Sequence, residues 1–177
     1  MQRRFKVRVL VAYMSKTGNT KKVAEAIYEA LDCEKEIMPI GRVADISGYD
    51  LSFLGFPMER FGPNPKTVSF LREHCRPGRD VALFVTHAAP EGEKELTGWL
   101  EGFRNAAAGA NIVGLFDCQG QLAKGIKFIM SIMPSRDLRA MAKRDNSQGQ
   151  PDAARLDRAQ AFAREVLERK NGQVSRS

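Results

Sequence analysis

The stretch "VRVLVAYMSKTGNTKKVAEAIYEAL", Val7 to Leu31, changes character twice. It opens as an unbroken apolar run, breaks at Ser15-Lys16-Thr17-Gly18-Asn19-Thr20, and resumes with apolar positions every three or four residues. The run has the texture of a strand buried on both faces, and the later spacing is that of an amphipathic helix. A strand feeding a helix leaves the helix's first backbone N–H groups unpaired, with the positive end of the aligned peptide dipoles behind them. An anion belongs at that point. Ser15, Thr17, Asn19 and Thr20 add side-chain donors, and Gly18 permits close approach of the backbone, so the turn suits the oxygens of one terminal phosphate. Capping alone needs one such residue, whereas four hydroxyl or amide side chains fall within these six positions.

Outward from this stretch the same alternation continues. Apolar runs bounded by turn residues recur at Lys6 to Met14, Glu36 to Ile40, Leu51 to Phe56, Val81 to Thr86 and Asn111 to Phe116. Helical patterns occupy Thr20 to Asp32, Pro65 to Cys75, Glu93 to Ala108 and Pro151 to Lys170; in the last, Leu156, Ala159, Phe162, Ala163 and Val166 form one stripe. Continuous Val/Leu/Phe strands separated by helices predict an α/β domain of three layers, a five-stranded parallel sheet with helices on both faces. With 177 residues, 43% of them hydrophobic, the chain is expected to form one domain over 1–177.

One segment breaks the rhythm. Leu122 to Gln150, "LAKGIKFIMSIMPSRDLRAMAKRDNSQGQ", lies between the last strand and the last helix, and a connection of that length is usually functional or disordered. Ile126, Ile129, Met130 and Met133 fall at helical spacing, Pro134 interrupts them, and Ser135 is placed to cap a second short helix through Met141. Two readings stand side by side: surface helices packing that stripe onto the core, or a basic amphipathic lid for a partner or a membrane surface.

Charge follows the same division. The net charge is +7, yet residues 9–122 carry twelve Lys/Arg against fifteen Asp/Glu. The excess sits in Arg3, Arg4, Lys6 and Arg8, in the inserted segment (Lys124, Lys127, Arg136, Arg139, Lys143 and Arg144 against Asp137 and Asp145), and more weakly in the last helix. These segments contain only Phe5, Phe128 and Phe162 as aromatics, too few for base stacking, so nucleic acid is not the expected partner. No run approaches eighteen apolar residues and no signal-peptide pattern opens the chain, so the cytoplasm is the default compartment. Cys33, Cys75 and Cys118 are scattered without CxxC or His-rich spacing, which predicts reduced thiols and no metal site.

The turn at 15–20 excludes other phosphate loops. There is no GxxxxGK[ST] and no GxGxxG, and the Cys and Arg of a low-molecular-weight tyrosine phosphatase are absent. "SKTGNT" after the first strand and before "KKVAEAI" resembles the T/S-x-T-G-N-T loop of the flavodoxin family, which receives the 5′-phosphate of FMN. The resemblance implies strand order 2-1-3-4-5, with the ligand outside the carboxyl ends of the strands at the switch in order. Ser15, Lys16, Thr17, Gly18, Asn19 and Thr20 then bind the phosphate. "GFPMERFGPNP", Gly55 to Pro65, takes the place of the loop covering one face of the isoalloxazine, with Pro57, Met58 and Phe61 in apolar contact. Backbone around Glu59, Arg60 and Gly62 meets the flavin edge, and a peptide at Phe61-Gly62 or Met58-Glu59 is expected to turn its carbonyl toward N5, with Gly62 easing the turn. Thr86, His87 and Ala88 open the loop on the ring's other side; His87 either bonds the flavin edge or ends a strand. Where the best-known members stack Trp or Tyr, Phe61 or Met58 substitutes, because Trp99, Tyr13, Tyr28 and Tyr49 lie outside both loops.

What the resemblance implies about function is an FMN-binding, electron-transfer protein with no catalytic acid or base of its own. Its basic charge implies a redox partner with an acidic docking surface, and residues 122–150 add possible contact with a membrane surface. Two alternatives come with it. One is a flavodoxin-fold oxidoreductase, similar to protoporphyrinogen oxidases in its "GIKFIMSIMP" insertion, or to quinone reductases. The other is a binding or regulatory protein that keeps the fold without flavin.

Overall fold

A computed structural model describes residues 7–174. Arg3, Arg4, Lys6 and the predicted strand start at Lys6 lie outside the described residues. In chain order the elements are β1 (Arg8–Tyr13), α1 (Asn19–Ala30), β2 (Glu34–Pro39), β3 (Leu51–Pro57), α2 (Pro65–His74), β4 (Asp80–His87), α3 (Leu96–Ala106), β5 (Asn111–Gln119), α4 (Lys124–Ile132), α5 (Arg136–Arg144) and α6 (Ala153–Val174). The five strands form one parallel sheet in the order β2-β1-β3-β4-β5.

Successive side chains of a strand point to opposite faces, and the central strands divide their apolar residues accordingly. Val9, Val11, Phe53, Ala82 and Phe84 join Val23, Ala24 and Ile27 of α1 and Ala159, Ala163 and Val166 of α6 in one core. Leu10, Ala12, Leu54, Phe56, Leu83 and Val85 join Phe70 and Leu71 of α2 and Leu100 and Phe103 of α3 in the other. On the first of these faces the Phe84 ring lies across Gly55, where an added Cβ would overlap it. The edge strand β2 is only half-buried and begins with Glu34, Lys35 and Glu36, charges that discourage further strand pairing.

Helix ends follow local chemistry. Asn64 caps α2 by accepting from Thr67 N at 2.8 Å, and Pro65 occupies the first turn, where its missing N–H has no cost. Ser135 caps α5, as its sequence position predicts. Met133 is extended because Pro134 follows, and α4 ends one residue earlier. Several boundaries differ from expectation. β5 continues past Phe116 to Gln119, carried by pairing of Val85, Thr86 and His87 with Asp117, Cys118 and Gln119. α3 starts at Leu96 and not Glu93, because Glu93 and Leu96 close turns onto Pro90 and Glu93.

Because every strand runs the same way, Tyr13, Pro57, His87 and Gln119 all emerge at one end of the sheet. β1 and β3 are neighbours, and the chain leaves β1 toward α1 on one face and β3 toward α2 on the other, opening a crevice between them.

Candidate flavin site

The turn after β1 is closed by its own side chain. Ser15 Oγ accepts from Gly18 N at 3.1 Å, and Gly18 takes a left-handed φ of 93° with open space on its Cβ side. α1 begins at Asn19 with no side-chain cap. Lys22 N donates to Gly18 O at 3.0 Å, so the amides of Asn19, Thr20 and Lys21 head the helix. Two of the predicted donors are committed elsewhere. Thr20 is buried with its hydroxyl 2.8 Å from that of Thr86 on β4, and Asn19 Nδ2 donates to Gln121 O at 2.9 Å. These two contacts pin the turn to the ends of β4 and β5. Lys16 and Thr17 remain exposed at its rim.

Beyond β3, Met58 N donates to Thr86 O at 2.8 Å, and Glu59 and Gly62 exchange backbone bonds of 2.9 and 3.2 Å. Between them Arg60 (φ 49°) and Phe61 (φ 66°) both adopt left-handed backbone. That is the pattern of a two-residue type I′ turn, normally given to Asn-Gly. The unusual backbone therefore falls on Arg60-Phe61, and Gly62, expected to ease the turn, has no positive φ. Phe61 stays half exposed, its ring tilted against Trp99 of α3 with centroids 4.7 Å apart. Trp99, set aside in the sequence for lying outside both loops, is thus brought to the site by α3. Lys16 Nζ reaches Glu59 Oε1 at 2.8 Å, bridging the first loop to the second, and this hydrogen bond holds the Glu59 carboxyl below its ordinary range against the opposing effect of burial.

The third wall begins at the end of β4. His87 is buried, with Nδ1 3.0 Å from Ala89 O and Nε2 3.0 Å from Asp117 Oδ2. Its ring is engaged within the protein, so His87 ends its strand and orients the following loop. Gln119 Nε2 donates to Ala88 O at 3.1 Å and Asn146 Oδ1 at 2.7 Å; Leu122 N donates to the Ser147 hydroxyl at 2.8 Å. Gly120 N donates to His87 O at 2.8 Å, and a Cβ on Gly120 would lie 2.8 Å from Asn19 Nδ2. Asp117, Gln119, Gly120, Gln121, Asn146 and Ser147 thus form a support that sequence reasoning missed. Its one signal was polarity, "DCQGQ" directly after an apolar strand.

The crevice combines a free helix start, a half-exposed aromatic pair and two loops of accessible backbone. No group of three or more His, Cys, Asp or Glu is placed to hold a metal among the described residues. A phosphate-bearing ligand with a flat apolar ring matches this chemistry: the anion at Gly18–Lys21, the ring against the aromatic pair and backbone.

Comparison with known proteins identifies the family. The model of the flavodoxin domain family matches residues 10–164. The flavodoxin-like domain-containing protein BilS of Clostridioides difficile (strain CD3) is 30% identical over 169 residues, covering 89% of this chain and 95% of that protein. Among solved structures, oxidised flavodoxin 2 from Bacillus cereus superposes with a TM-score of 0.60 at 22% identity, covering 92% of this chain and 99% of that one. A flavoprotein in complex with FMN from Lactobacillus acidophilus NCFM gives a TM-score of 0.50 at 21% identity, covering 63% and 93%. At those identities the solved structures speak for the fold. The family match, spanning both the first strand with its turn and most of the last helix, says the rest: this chain is a member of the flavodoxin domain family.

Proposed function

We propose that the protein binds FMN and serves as an electron-transfer protein. The uncapped start of α1 behind Ser15–Asn19, at the switch in strand order, carries this reading. Amides of Asn19 to Lys21, with the Ser15 and Thr17 hydroxyls, hold the phosphate; Lys16 adds a positive charge at the rim. Phe61, backed by Trp99, and Met58 supply apolar contact to the ring, while the backbone from Glu59 to Gly62 and at Ala88 supplies polar contact to its edges. FMN, once bound, supplies the capacity to accept and release electrons singly or in pairs.

The chain's own residues position and insulate. The Thr20–Thr86 pair fixes the phosphate turn against β4, and the Lys16–Glu59 bridge sets the separation of the two loops. His87, held between Ala89 and Asp117, fixes the third loop without offering a nitrogen to the ligand. Purification without added flavin, followed by an absorption spectrum before and after FMN addition and gel filtration, tests the reading. One FMN retained per chain is expected, and a colourless protein after filtration refutes it. Rapid reoxidation of the reduced holoprotein by a one-electron acceptor is the second expectation; a reduced form that stays inert overturns the electron-transfer role while leaving flavin binding standing.

A further inference from the structure

The helical hairpin formed by α4 and α5 leaves its apolar residues in water. An amphipathic helix normally turns its apolar stripe to the core and its charges to water. Lys124, Lys127, Phe128 and Ser131 of α4 line, with Ala142 and Lys143 of α5, a shallow depression between the two helices. Lys127 Nζ reaches inward to Asp145 Oδ2 at 2.8 Å, and that carboxylate is almost fully covered. The apolar residues face outward: Ile126 is 52% exposed, Phe128 65%, Ile129 54% and Ile132 65%, with Met133 and Met141 alongside. No residue of α4 is buried. Of the two sequence readings, packing of this stripe onto the core is therefore not met; the other was a basic amphipathic lid for a partner or a membrane surface.

From this exposed apolar hairpin we propose that α4 and α5 form an interfacial anchor that seats in an anionic lipid surface. Exposed branched and aromatic side chains in such number need a yielding apolar medium, and a bilayer supplies one without a matching groove. Lys124, Arg136, Arg139, Lys143 and Arg144 lie on the same two helices, and among the described residues none of these pairs with a carboxylate, so their charge is free for lipid phosphates. A second copy of the chain is disfavoured because a two-fold contact would set this cationic rim against itself. No helix among the described residues is long and apolar enough to cross a membrane, which leaves insertion in the plane of the interface. α4 departs from the Gln119–Gln121 support, so the anchor is rooted at the sheet end that carries the crevice. The inference does not depend on flavin binding.

The test uses the full chain, with and without FMN, and vesicles of phosphatidylcholine alone or enriched in phosphatidylglycerol. Co-sedimentation is expected with the anionic vesicles, at least about tenfold tighter than with the neutral ones and weakened by salt. The exposed substitutions Phe128→Ser and Ile132→Ser together are expected to reduce binding about tenfold or more with unchanged thermal stability. Lys124→Gln, Arg136→Gln and Lys143→Gln together are expected to abolish the preference for anionic lipid. A Phe128→Trp variant is expected to show blue-shifted emission quenched by brominated lipid. Absence of binding to anionic vesicles, or binding unaffected by both variant sets, overturns the proposal. So does binding to soluble polyglutamate without binding to vesicles, which assigns the rim to an acidic protein. A dimer in light scattering that the Phe128→Ser/Ile132→Ser variant converts to monomer also overturns it, assigning the face to a second copy.

Discussion

Replacing Arg60-Phe61 by Asn-Gly separates what the second loop costs from what it contributes. Both residues hold left-handed backbone, φ 49° and 66°, in a two-residue turn. For residues other than Gly and Asn that conformation costs roughly 1–2 kcal/mol each, so about 2–4 kcal/mol of strain is relieved by the double substitution. Against this stands loss of the Phe61–Trp99 ring contact at 4.7 Å. That loss is about 0.5–1.5 kcal/mol, and the extra unfolded-state freedom of Gly subtracts roughly a further 0.5–1 kcal/mol. The net expectation is a flavin-free protein about 1 kcal/mol more stable, which for this chain length is a rise in Tm of roughly 2–4 °C. Phe61→Ala removes the ring and keeps the strain, so it is expected to lower Tm. Thermal and urea unfolding of the flavin-free forms read both, and FMN affinity is expected to fall in both. A decrease in stability for the Asn-Gly variant matching that of Phe61→Ala would refute the claim that this turn stores strain.

Other perturbations probe the remaining walls. Gly120→Ala places a Cβ 2.8 Å from Asn19 Nδ2 and displaces the bond to Gln121 O; loss of one such bond at the phosphate turn is expected to weaken FMN binding about tenfold in a fluorescence titration. The Glu59 carboxyl is held below its ordinary range by Lys16, so the bridge stabilises the fold above the unfolded carboxylate range and ceases to do so as pH falls through the depressed value. Lys16→Gln is accordingly expected to lower stability by less than about 1 kcal/mol at neutral pH, with the difference shrinking as pH falls below the ordinary carboxylate range in pH-dependent urea unfolding. Burial pushes the Cys75 thiol up to about 11 and that of Cys118, with Asp117 and Glu91 adding to the effect, up to about 12. Neither is expected to react with a disulfide reagent at pH 8 until denaturant is added, and fast titration of all three thiols in the native protein would contradict that burial.

Legibility from sequence tracked the range of the interactions. The turn at 15–20 was readable because six adjacent residues between a strand and a helix carry its chemistry. Strand order came through the family resemblance, and continuous burial on β1, β3 and β4 agrees with the continuous apolar runs. Trp99 was not readable, since its place against Phe61 depends on how α3 returns to the crevice. Arg60-Phe61 lacks the Asn-Gly signature of its turn, so nothing in the sequence marks the left-handed backbone there. Polar "DCQGQ" ended the predicted β5 early because only pairing with β4 and bonds to Asn146 and Ser147 show why those residues stay ordered. The inserted segment was read as two helices correctly, but periodicity reports that a helix has an apolar face without saying which way it points.

Titration of the flavin-free protein with FMN and riboflavin in parallel, followed by flavin fluorescence, bears most directly on the phosphate turn. The two ligands differ only in the phosphate that the start of α1 is proposed to receive. Affinity for FMN is expected to exceed that for riboflavin by at least about tenfold, the equivalent of one charge-assisted hydrogen bond or more, with the gap narrowing in Gly18→Val. Equal affinities, or no binding of either, would contradict the assignment of that turn to a phosphate.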